Sequence, residues 1–107
     1  MPASPVPDDV AVELDRIERR WRQLPLHTAE GCADRVRTLA QHLADAATPD
    51  HRPRDFPADA REGVVPDLGP ATLMDQLRVV LYDVCLADAV PAARLTEELA
   101  RVRRELP

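Results

Sequence analysis

Two cysteines, three histidines and fourteen arginines are the side chains of this chain with the most chemistry to offer. Cys32 and Cys85 are soft ligands and nucleophiles. Brought together, with His27 and the end of the first helix at Trp21 nearby, they make a redox pair or a soft-metal site. No CxxC or HxxxH spacing joins them, so their meeting depends on how the helices are connected. An up-down-up-down chain sets both at one end of the molecule. A long connection that returns the third helix parallel to the second sets them about 25 Å apart, roughly a helix length. Apart, both read as small buried apolar residues. Arg37 and His42 are the second pair, with four residues between them on one helical segment.

The segment Arg37-Thr-Leu-Ala-Gln-His42 resembles the RxxxxH signature of the HEPN ribonuclease-like helical bundles. In that family the pair serves RNA cleavage at a dimer interface, so the resemblance implies an RNA-processing role for Arg37 and His42. It covers six residues, and here they lie on the second helix, where the family usually carries its motif on a late one. Arg16, Arg19, Arg20 and Arg22 resemble in texture the first helix of the all-helical chorismate mutases. Those enzymes hold a dianionic substrate with several Arg and a Lys. This chain has no Lys, and its arginines alternate with Glu13, Asp15 and Glu18, which reads as a salt-bridged solvent face. No Glu-x-x-His occurs, so the di-iron bundle signature is absent.

Composition narrows the chemistry further. Without Lys there is no Schiff-base lysine and no phosphate-loop lysine. Ser4 is the only serine and lies in a Pro-rich stretch, which excludes a serine nucleophile on a rigid elbow. Gly31, Gly63 and Gly69 make no glycine-rich loop, and no cofactor is expected. Nineteen acidic residues against fourteen basic give a net charge of -5, a poor match to a phosphate backbone, so no DNA partner is expected. No apolar run approaches the roughly 18 residues that span a bilayer. Residues 1–7 have neither the basic start nor the apolar core of a signal peptide, and two cysteines make no disulfide framework. A cytoplasmic setting is the expectation. The excess of Ala, Arg, Val and Pro reads as the codon usage of a high-GC bacterial genome.

These residues must be positioned by helices. At 107 residues the chain forms one domain and buries roughly two-thirds of its unfolded surface. Residues 1–7 hold three prolines and read as a disordered tail, leaving 8–107 as a single helical domain. Val10, Leu14, Ile17, Trp21 and Leu24 step by four and three, the stripe of a helix over about 9–23, with Asp8 or Asp9 as N-cap. Ala29, Cys32, Val36, Leu39, Leu43 and Ala46 give a second helix over 28–47, capped by Thr28 and stapled by Leu26. Residues 48–70 hold five prolines and form a long loop. A helical turn is plausible at Asp55–Gly63, with Phe56, Val64 and Val65 pinning the loop to the bundle. Leu73, Leu77, Val80, Val84 and Ala87 mark a third helix over 71–87, and Ala92, Leu95, Leu99, Val102 and Leu106 a fourth over 91–105. Four such stripes and no strand make an all-α four-helix bundle.

The third helix is apolar around most of its circumference, because Met74, Val79, Leu81, Cys85 and Leu86 widen its stripe. Either it sits at the centre, or it offers a second apolar face to a partner. No helix of a plain four-helix bundle is surrounded on all sides, which favours a partner. The expected role is protein–protein interaction or self-association, most simply as a homodimer, with Met74, Arg78, Leu81, Tyr82 and Cys85 at the interface. The alternatives are a small helical enzyme or RNA-processing bundle using Arg37 and His42, and a redox or metal module at Cys32 and Cys85.

Overall fold

The computed structural model describes residues 4–47 and 65–107. They form four helices, α1 (Asp8–Gln23), α2 (Leu26–Ala47), α3 (Pro70–Leu86) and α4 (Ala92–Glu105), with no strand among the described residues. The protein is an all-α four-helix bundle.

Proline sets most of the helix starts, earlier or later than the polar caps imply. Pro7 occupies the cap of α1, and its carbonyl accepts from the Ala11 amide at 3.0 Å. Asp8 and Asp9 therefore lie inside the first turn, where their charge favours the positive helix end. The Pro25 carbonyl accepts from the amides of Thr28 and Ala29, which starts α2 at Leu26, ahead of Thr28. Leu26 is exposed and staples nothing. Pro70 is the first residue of α3, where its missing N–H costs no bond, and Gly69 before it takes φ +91°. Pro91 precedes α4 as its cap.

The end of α3 is a Schellman motif. The Ala89 amide donates to Val84 O and the Asp88 amide to Cys85 O, both at 3.1 Å. Asp88 takes the left-handed conformation this closure requires, at φ +51°. The helical turn expected at Asp55–Gly63, with Phe56 and Val64, lies outside the described residues. Val65 packs against the core, and so does Val6 near the other end of the chain.

Hydrogen bonds and ion pairs between helices fix their directions. Glu13 meets Arg103 and Arg20 meets the Pro107 carbonyl, so α1 and α4 run the same way. Arg35 pairs with Glu105 and His42 stands 4.0 Å from Glu98, so α2 and α4 run oppositely. Glu18 meets Arg78 and the Trp21 indole donates to Pro70 O, so α1 and α3 also run oppositely. α2 and α3 are consequently parallel and form the closest pair; α1 and α4 are the next closest. Around the bundle the order is α1, α4, α2, α3, so α1 faces α2 and α3 faces α4 across the core, while α2 and α3 lie side by side. Residues 65–69 run back along α2. Val65 N–H donates to Gln41 Oε1 at 2.7 Å, and Arg37 meets Asp67 at 2.9 Å. The topology is up-down-down-up, the crossover case, with one long connection between α2 and α3.

One core fills the centre. Val10, Leu14, Ile17 and Trp21 of α1 meet Val36, Ala40 and Leu43 of α2, Leu73, Leu77, Leu81 and Val84 of α3, and Leu95, Leu99 and Val102 of α4. The alanines at 29, 33 and 40 keep α2 thin on its buried side, which permits its close approach to α3.

Candidate functional site

The parallel arrangement of α2 and α3 separates the two cysteines. Cys32 lies near the start of α2, at the pole shared by Trp21 and Pro70. Cys85 lies in the last turn of α3, fifteen residues past Pro70, or about 22 Å along the axis. Both are free and half-buried. Burial raises the pKa of the Cys85 thiol above its ordinary value, which keeps it protonated and slow to react. No group of three or more His, Cys, Asp or Glu side chains among the described residues is arranged to hold a metal ion. Mild oxidation of the folded protein should therefore give no intrachain Cys32–Cys85 disulfide. Non-reducing peptide mapping checks this, and rapid formation of that bond would contradict the crossover.

Arg37 and His42 also diverge. Five residues turn a helix through roughly 140° beyond a full turn, so they face different neighbours. Arg37 is mostly buried and holds Asp34 at 2.8 Å and Asp67 at 2.9 Å. It ties the return segment to α2. His42 is exposed on the α4 side, 4.0 Å from Glu98. The structure does not bring the two into one site. Three arginines of α1 are engaged along their own helix, Arg16 with Glu13, Arg19 with Asp15 and Arg22 with Glu18, while Arg20 donates to the Pro107 carbonyl.

The two acidic residues Glu13 and Glu18 are buried, and both act between helices. Glu13 accepts from Arg16 at 3.0 Å and from Arg103 of α4 at 2.8 Å. Glu18 accepts from Arg78 of α3 on both oxygens, with Arg22 at 3.7 Å. The hydrogen bond and charge of Glu18 push the Arg78 guanidinium above its already high pKa. Sequence spacing assigns Glu18 to Arg22 alone. The missed signal is position: Glu13 and Glu18 each stand three and four residues from two core residues of α1, at the border of the buried stripe.

The outer face of α3 keeps the apolar character its sequence shows, through different residues. Leu81 is fully buried in the core and is unavailable to a partner. Met74 and Cys85 are half-buried against the core, and Arg78 is tied to Glu18. Of the five residues expected at an interface, Tyr82 alone is an exposed large hydrophobic side chain, at 46%. The remaining apolar surface comes from Val79 (59%), Leu86 (64%) and, from the return segment, Leu68 (61%). α3 is therefore neither central nor ordinary: one face packs inward, and the opposite face is largely apolar and open.

That face opens on one side into a groove between α2, the return segment and α3. The groove holds about 450 Å³ and is walled by Ala44, Val65, Pro66, Leu68, Val79 and Val80, with Thr72, Asp75 and Gln76 along it. The Thr72 hydroxyl donates to Leu68 O at 3.1 Å, and the Gln76 amide donates to Pro66 O at 2.9 Å. These bonds hold the return segment against α3 and build the groove wall. On the other side, Tyr82 and Arg78 line a cleft of about 370 Å³ with Ser4, Val6 and Asp15. No helix among the described residues is long and apolar enough to cross a membrane. Comparison with protein-family models, curated proteins and solved structures finds no match to this chain.

Proposed function

We propose that this chain acts by binding protein through the outer face of α3. The observation that carries the reading is the row of exposed apolar side chains, Leu68, Val79, Tyr82 and Leu86, on one side of a helix whose other side is fully packed. Single exposed hydrophobics, such as Val12 and Leu26 here, are ordinary on a protein surface. Four on one face, bordering an apolar groove, favour coverage by a partner. The partner is either a second copy of the chain, forming a homodimer, or another protein.

A photo-reactive amino acid at position 79 or 86 tests the reading in the cell of origin, with position 101 on α4 as the control. Adducts are expected from 79 and 86 and not from 101. Their mass separates a homodimer from a complex with another protein. Adducts from 101 alone, or from none of the three, would remove the proposal.

A further inference from the structure

We infer that the occupant of the α3 face is a cationic amphipathic helix of another protein, with Arg or Lys beside its apolar residues; this rests on the reading that the face binds protein. The argument comes from charge. Asp75 stands one turn before Val79 and Asp83 one turn after it. Both are exposed, and neither forms an ion pair among the described residues. The cation on that side, Arg78, is held by Glu18. The Thr72 hydroxyl is spent on Leu68 O, and one N–H of the Gln76 amide on Pro66 O. The surface offered to a partner is apolar and bracketed by two carboxylates that form no ion pair among the described residues, about 12 Å apart along the helix.

A second copy is a poor fit to that pattern. An antiparallel pair centred on Val79 sets each Asp75 level with the partner's Asp83. A parallel pair sets each aspartate level with its own counterpart. Like charges at these spacings oppose association. A partner helix with apolar residues seven apart, to match Val79 and Leu86, and cations about eight residues apart satisfies both needs. Lining up cations with Asp75 and Asp83 also fixes the register, which the smooth apolar strip alone leaves loose.

Two synthetic helical peptides, each about 18 residues and five turns long, provide the probe. They share one Leu/Ala seam and differ only in carrying Arg or Glu beside it. Titrated into the ¹⁵N-labelled full chain, the Arg peptide is expected to shift amides across residues 75–86 and the Glu peptide to leave them unmoved. Asp75→Asn combined with Asp83→Asn is expected to weaken the Arg peptide by about tenfold or more, and added salt to weaken it likewise. Equal binding of both peptides at α3 overturns the charge inference and leaves the docking surface standing. Shifts confined to other helices overturn the inference as well. A dimer of the protein alone at tens of micromolar, seen by light scattering and lost in Val79→Arg, overturns it in favour of a second copy.

Discussion

Leu77→Ala is expected to cost about 2–5 kcal/mol of folding stability, the range for emptying a packed leucine site. Leu77 is fully buried at the middle of the inward face of α3, with Leu73, Leu81 and Val84 around it. Small domains hold about 5–15 kcal/mol in all, so this one substitution removes a large share. Val79→Ala, two residues along the same helix, should change stability by less than about 0.5 kcal/mol, because its side chain is already in water and Ala favours the helix. Urea unfolding followed by far-UV circular dichroism measures both. The contrast separates the two faces of α3. Equal losses at 77 and 79 would mean that the outer face is covered within one chain.

Arg78→Ala is expected to cost about 2–3 kcal/mol, below the roughly 3–5 kcal/mol of a fully buried pair broken at one partner. The discount has two causes: the Arg78 side chain is 61% exposed, and Arg22 stays 3.7 Å from the stranded carboxylate. Glu18→Gln should cost less. It removes the charge from the buried side and leaves an arginine that water can solvate. The pair is thus asymmetric, with the burden on Glu18, which is only 4% exposed. A double-mutant cycle reads the coupling directly, and the two losses should not add. A larger loss from Glu18→Gln than from Arg78→Ala would contradict the asymmetry.

Apolar spacing carries the helices because it reports which side of a helix is buried. Val10, Leu14, Ile17 and Trp21 are core in the structure, and so are Leu73, Leu77 and Val84. Spacing does not report helix direction, which here rests on residues far apart in the chain. Arg37 with Asp67, and Gln41 with Val65, fold the return segment back along α2 and make α3 parallel to it. No local pattern around Arg37 announces that partner. The exposed apolar residues of α3 are half legible in the sequence for a related reason. The width of the α3 stripe marks an outer apolar face, but which residues occupy it depends on where the inward face is centred. The structure centres it near Leu77, which sends Leu81 inward and leaves Val79 and Leu86 outside. The i,i+4 spacing pairs Glu18 with Arg22, whereas its closest partner, Arg78, is sixty residues away.

The up-down-down-up order has a consequence for how fast the chain folds. In a simple hairpin-built bundle the closest helix pairs are also neighbours in sequence, so contacts form early over short loops. Here α1 packs closely on α4, and Glu13 joins Arg103 across ninety residues. The other close pair, α2 with α3, can form only after the long connection has brought the chain back. Loop entropy must therefore be spent before most tertiary contacts reward it. Folding rates fall as the mean sequence separation of contacts rises. The crossover therefore slows this bundle relative to a hairpin-built bundle of the same helices.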